Sequence, residues 1–140
     1  MEVVKLRYKA VRQALSTLKE GIEEIRVPLL ERPKAYTLMR DGVIQRFEYC
    51  IDLFWKFFKI YLEIVEKLSI ESPSPRTILR LSLGSKLISD DECSVLLDCV
   101  SERNLTSHTY DEEVSRSIQN HIPLYYETMR AIIGRFDIKE

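Results

Sequence analysis

Apolar residues recur at alternating threes and fours along the start of the chain: Val4, Tyr8, Val11, Leu15, Leu18, Ile22 and Ile25. That spacing puts them on one stripe of a helix predicted over about 2–26. Val27-Pro28 should end it, and Pro28 and Pro33 should bracket a connecting loop.

A second helix is predicted over about 36–69. Ile44, Phe47, Ile51, Phe54, Phe58, Tyr61, Val65 and Leu68 keep a repeat of about 3.5 residues. Cys50, Leu53, Trp55, Phe57, Ile60, Leu62 and Ile64 widen the stripe to most of the circumference. The polar remainder is narrow: Asp41, Gln45, Glu48, Asp52, Lys56, Lys59 and Glu63. Charges spread from Glu48 to Glu63 argue against a membrane span. A helix apolar over so wide an arc needs partners on more than one side, from its own chain or from a second subunit. A homodimer is the expectation.

Ser72-Pro-Ser-Pro75 reads as a loop that starts a third helix, with Ser74 as N-cap and Pro75 in the first turn, ending at Gly84. Ser89-Asp-Asp-Glu92 has the form of a capping box opening a fourth helix, where Ile88 can staple onto Cys93. Asp111-Glu-Glu starts a fifth, whose stripe is Val114, Ile118, Ile122, Tyr125, Met129, Ile132 and Phe136. Pro123 lies inside that pattern and predicts a kink rather than a break. No run alternates with the period of a strand. The fold class is all-α: an antiparallel up-and-down bundle of about five helices around a four-helix core, one domain over residues 1–140.

Composition narrows the function. A net charge of −1 carries no global footprint of nucleic-acid binding, so any contact with RNA must be local. Cys50, Cys93 and Cys99 are odd in number and lack a CxxC spacing, so they read as buried thiols rather than a metal site with His108. The amino-terminal residues are charged where a signal peptide needs its apolar core, and a cytoplasmic location is expected. Gly-rich phosphate loops and serine-nucleophile motifs are absent from the sequence, so the chain alone is not expected to transfer phosphate from ATP.

The candidate chemistry lies in Arg103-Asn-Leu-Thr-Ser-His-Thr-Tyr110. Arginine binds phosphate as a fork, histidine moves protons near neutral pH, and tyrosine offers a hydroxyl. Such a set suits phosphodiester cleavage, or modification by a nucleotide. The inward face of the fourth helix, Cys93, Leu96, Leu97 and Val100, should continue to Asn104, Ser107 and His108. Asn104 and His108 would then be stacked, with Arg103 reaching the same space. Polar groups on such a face need hydrogen bonds or an open cleft. On the residues alone, a plain helix end is the stronger reading of this stretch, since Asn, Ser, Thr and His gather there. Asp41, Gln45 and Glu48 are candidates to line a cleft opposite Arg103, although a solvated face with an Asp52–Lys56 pair is the stronger reading of them. His121 reads as a surface residue.

Three blocks then acquire a common meaning: Asp41-Gly-Val-Ile-Gln-Arg-Phe-Glu-Tyr49 with Trp55-Lys56, Ser74-Pro-Arg76, and Arg103 to Asp111. Together they resemble the HEPN superfamily, and within it the branch of nucleotidyltransferase substrate-binding proteins that includes HepT-like toxins. The resemblance implies a helical bundle that dimerises with two Arg/His pairs across a shared cleft. It also implies a separate minimal nucleotidyltransferase, which supplies the ATP and Mg sites that this chain lacks; no cofactor or metal is expected here. Carried over, Arg103 and His108 are the catalytic pair of a metal-independent endoribonuclease. Tyr110 is the hydroxyl to which the partner attaches AMP, and Asn104 is the polar residue that follows the arginine. With Ser107 of the same helix face it is a candidate to line the cleft and orient phosphate. The mild acidity of the chain is a small discord with an RNA substrate.

Three hypotheses follow. The chain is a toxin-type ribonuclease silenced by its partner, or a non-catalytic subunit that binds nucleotide or substrate for that partner. A purely structural dimerisation module is the third, and it leaves the polar end of the fourth helix unexplained. Tyr110 beside Arg103 and His108 favours the first.

Overall fold

The computed structural model describes residues 1–26 and 33–139. Its helices are α1 (Glu2–Ile25), α2 (Pro33–Ile64), α3 (Pro75–Gly84), α4 (Asp90–Arg103) and α5 (Glu112–Ile133). The loop expected between Pro28 and Pro33 lies outside the described residues, except that Pro33 begins α2. Among the described residues there is no strand.

The predicted stripes become one core. Val4, Val11, Leu18, Phe47, Phe54, Phe58, Leu96, Met129 and Ile132 are fully enclosed. At about 25 cal/mol per Å² of apolar surface removed from water, such side chains supply the main driving force for the bundle. The Tyr8 ring packs 5.7 Å from Phe57, and at the other end Gly21 faces Val43, so α1 and α2 are antiparallel. A methyl group on Gly21 would stand 3.1 Å from Val43 Cγ2, so this glycine lets the two helices approach closely. Phe47 stacks on Tyr125 at 5.7 Å, and Phe136 meets Phe57, Phe58 and Tyr61 edge-on. These contacts run α5 alongside α2 in the same sense.

Arg135 grips Glu92 at the start of α4, and Glu102 at its end meets His121. α4 therefore runs antiparallel to α5, and α1, α2, α4 and α5 alternate in direction as a four-helix core. The short α3 flanks α4, with Arg76 reaching Ser101.

The second helix stops earlier than its apolar repeat suggested. Lys67 takes a left-handed φ of 59°, and the Leu68 N–H donates back to the Leu62 carbonyl at 3.0 Å. This is a helix-closing arrangement that satisfies a terminal carbonyl. Val65 is consequently exposed, and Leu68 packs on the core from the connecting segment.

Helix starts follow the sequence. The Ser74 side chain accepts from the Thr77 N–H, with Pro75 in the first turn. Ser89 and Glu92 form the reciprocal capping box, beside a buried Ile88 and Cys93. Asp111 caps α5, which continues through Pro123 without a break. All three cysteines are buried free thiols, and burial pushes Cys50 up to about 12. No described helix is long and apolar enough to cross a membrane.

Candidate functional site

α4 ends at Arg103, and the way it ends shapes the site. The Leu105 N–H turns back to the Glu102 carbonyl at 2.9 Å, and the Thr106 hydroxyl donates to the Arg103 carbonyl at 2.8 Å. The chain tightens into a single 3₁₀ turn, Thr106–His108, before Asp111 opens α5. Ser115 holds the exit by donating its hydroxyl to the Thr109 carbonyl at 2.7 Å.

This geometry corrects one expectation. Asn104 and His108 are not stacked on a continuing α4 face, because the helical register stops at Arg103. Asn104 is the C-cap, its N–H bonded to the Val100 carbonyl. Asn104, Ser107 and His108 are all exposed, while Thr106 is the buried polar residue of the turn.

Arg103 instead points across to α2. Its Nε and Nη2 donate to the two carboxylate oxygens of Asp52 at 3.2 and 3.1 Å. Nη1 donates to Thr106 Oγ1 at 3.1 Å and lies 3.3 Å from Glu48. A two-pronged fork on one carboxylate fixes the guanidinium plane. The hydrogen bonds that Arg103 donates to Asp52, reinforced by the charge of both carboxylates, raise the Arg103 pKa against the opposing effect of burial.

His108 Nδ1 lies 3.2 Å from the Tyr110 hydroxyl, and the two rings meet at a steep angle of 72°. Tyr110 is 84% exposed. A phenol held out in solvent beside an imidazole is open to attack on an incoming electrophile, with a proton acceptor at hand.

Of the possible cleft-lining residues, Glu48 reaches Arg103. Gln45 is exposed, and Asp41 stands 3.9 Å from Arg40 Nε. Asp52 turns out to be the main partner of Arg103 rather than part of a solvated stripe. Glu48 and Asp52 are one turn apart, and two stacked carboxylates of like charge were the signal that a cation must approach from elsewhere.

A second buttress went unread in the sequence. Arg40 is 4% exposed and forks onto Glu112 of α5 at 2.6 and 3.1 Å, raising the Arg40 pKa mainly through that bond. Its Nε is buried without a hydrogen-bond partner. Arg40 precedes Ile44 by one turn and so sits on the core stripe, where a charge signals a buried pair. The pair pins α5 to α2 two residues beyond Tyr110.

His121 is half-exposed, as expected of a surface residue, and contacts Glu102. Tyr125 lies close by, its pKa raised first by burial and then by Glu102. Among the described residues no group of three His, Cys, Asp or Glu is placed to hold a metal ion.

Residues 6–137 match the family described as nucleotidyltransferase substrate binding protein like. The fold agrees with solved structures. A Thermus thermophilus protein superimposes with a TM-score of 0.77 at 37% identity, covering 89% of this chain and 97% of its own. A Haemophilus influenzae protein, described as revealing the fold of a substrate binding domain of a nucleotidyltransferase, gives 0.77 at 22% identity, over 91% and 97% of the two chains. A chain from a toxin–antitoxin structure with AMP-PNP gives 0.65 at 20% identity, over 89% and 95%. No curated protein matches the chain at a significant level.

The protein is thus an all-helical bundle with an arginine–histidine–tyrosine turn at one end. It belongs to the family of nucleotidyltransferase substrate binding-like proteins.

Proposed function

We propose that this chain is the HEPN-type subunit of a two-component nucleotidyltransferase system. In this reading it is a metal-independent endoribonuclease that a separate nucleotidyltransferase silences by transferring AMP to Tyr110. The observation that carries the proposal is the turn itself: an exposed Tyr110 hydroxyl 3.2 Å from His108 Nδ1, next to an arginine held in a fixed plane. Family membership supports the partner, and the toxin–antitoxin neighbour supports the regulatory logic by analogy of fold.

For cleavage, His108 would take the proton of the ribose 2′-OH or return one to the departing 5′ oxygen, with a second subunit's histidine in the other role. Requiring the 2′-OH restricts the substrate to RNA. Arg103 would stabilise charge on the phosphoryl oxygens, displacing Glu48 while the Asp52 fork keeps its orientation. Asn104 and Ser107, exposed on the same turn, would contact the phosphate. A homodimer would set two such turns across one cleft, and the partly buried Leu53, Trp55 and Ile60 of α2 suit such packing.

For silencing, the Tyr110 oxygen attacks the α-phosphorus of ATP bound with Mg on the partner. The bond to the β-phosphate breaks, pyrophosphate leaves, and the phenolic proton passes to His108 or solvent. The attached AMP would compete for Arg103.

One observation favours the alternative, a non-catalytic subunit that binds nucleotide or substrate for its partner. Arg103 already faces two carboxylates, which weakens its pull on a phosphate.

The test is intact-mass analysis of the chain incubated with its nucleotidyltransferase, ATP and Mg. A gain of one adenylyl group in wild type, absent in Tyr110→Phe, is expected. An unchanged mass, or modification that persists in Tyr110→Phe, would refute the assignment of Tyr110.

A further inference from the structure

The first helix carries a regular feature that the Arg103–Tyr110 turn does not use. Lys5, Arg12, Lys19 and Arg26 recur at every seventh position, which places them in one row along α1 over about 32 Å. Over the full length of the row, Lys5, Arg7, Lys9, Arg12, Lys19 and Arg26 stand against Glu2, Glu20, Glu23 and Glu24, with three of those acids gathered just before Arg26. In a chain with a net charge of −1, the excess of cations on this helix lies in residues 1–19.

The row borders a groove. Two adjoining hollows of about 280 and 90 Å³ lie between α1 and α5, sharing Lys19 and Tyr126. Arg130 of α5 stands on the opposite wall of the larger hollow, and Arg12 lies over the Tyr8 ring at 5.8 Å. Acidic neighbours are present: Lys5 meets Glu2 at 3.6 Å, Lys19 meets Glu23 at 3.9 Å, and Glu23 and Glu127 line the smaller hollow beside Lys19 and Arg26. Arg130 donates to Glu127 Oε2 from Nη2 at 2.8 Å and from Nε at 3.1 Å. Exposed pairs of this kind contribute little to stability, so a phosphate oxygen can compete for the same cations. The row ends at Arg26, and because α1 is antiparallel to α5, that end lies towards the start of α5, where the turn is.

We propose that the α1 row and its groove with α5 form a track for the phosphate backbone of single-stranded RNA. It would bind by charge and lead the strand towards the end of the bundle that carries Tyr110. The proposal rests on the RNA reading of the function but not on cleavage. It answers how a mildly acidic chain could hold RNA: the cations are ranked along one helix rather than spread as a global field.

The probe is a fluorescein-labelled single-stranded oligoribonucleotide, titrated by anisotropy at several salt concentrations. The protein is the full chain carrying His108→Ala, so that nothing is cut. The test variant adds K5Q, K19Q and R26Q, leaving Arg12 in place because it packs on Tyr8. A matched control adds K56Q, K67Q and R80Q elsewhere, and circular dichroism confirms that both fold.

The expected result is at least a tenfold loss of affinity in the α1 variant alone. Its log–log salt slope should shrink by about 0.7 for each cation removed. Equal losses in both variants, unchanged binding in the α1 variant, or no RNA binding before substitution would each overturn the track. Loss of nucleotidyltransferase binding without loss of RNA binding would also overturn it, assigning the row to that protein. Track binding by a chain that never cuts RNA would leave this inference standing and remove the ribonuclease.

Discussion

Asp52 holds Arg103 by both carboxylate oxygens, at 3.1 and 3.2 Å, from a helix 51 positions away in sequence. The fork fixes the plane of the guanidinium, whereas Glu48 only approaches one of its nitrogens.

The two acids should therefore separate on substitution. Asp52→Asn is expected to cost about 1 kcal/mol by urea unfolding, a charged hydrogen bond discounted for partial exposure. Glu48→Gln should cost no more than a few tenths. If the variant at Glu48 proves the more damaging, the hierarchy drawn from the distances is wrong.

Acid should loosen the ends of α4 and α5. Arg135 holds the Glu92 carboxyl below its ordinary value of 4.5, and Arg40 does the same for Glu112. A depressed carboxylate adds stability that is fully present above the unfolded value and is lost as pH falls through the folded one. Melting temperature should thus drop steeply below about pH 4.5, and E92Q/E112Q should flatten that drop. An identical acid profile in the double variant would contradict both pairings.

Glu92 serves two partners, since it closes the capping box with Ser89 and forks onto Arg135. Ser89→Ala should cost about 1 kcal/mol as a lost cap. Glu92→Ala should cost more, because it removes the cap and the tie to α5 together. Equal costs in chemical denaturation would show that the Arg135 contact contributes nothing.

Tyr110→Phe should separate activity from its control. Under the proposed function, the substitution leaves Arg103 and His108 in place, so cleavage should persist within about threefold while the proposed acceptor of AMP is lost. Growth arrest by Tyr110→Phe should then resist co-expression of the nucleotidyltransferase. Relief equal to that of wild type would place the control elsewhere.

Much of this fold is legible along the chain because periodicity, caps and prolines agree with one another. Val4 to Ile22, Ser74-Pro75, Ser89 to Glu92 and Asp111 each state a local rule that the packing keeps. Two failures share a cause. The apolar repeat through Val65 and Leu68, and the face through Asn104 and His108, both run past helix ends set by backbone hydrogen bonds. At Asn104 the cluster of Asn, Ser, Thr and His does mark the end, whereas at Val65 no side-chain pattern announces it. The site was legible as a set of residues but not as a network. Asp52 and Arg40 meet partners 51 and 72 positions away, and single-chain spacing registers only neighbours within a turn or two.

The most direct measurement is RNA cleavage by the chain produced without any nucleotidyltransferase, in EDTA, with His108→Ala alongside. Intact mass should first confirm an unmodified Tyr110. Cleavage by the wild type and none by the variant is the predicted result. Intact RNA with the unmodified wild type, or equal cleavage by His108→Ala, would contradict the ribonuclease reading and leave a binding subunit.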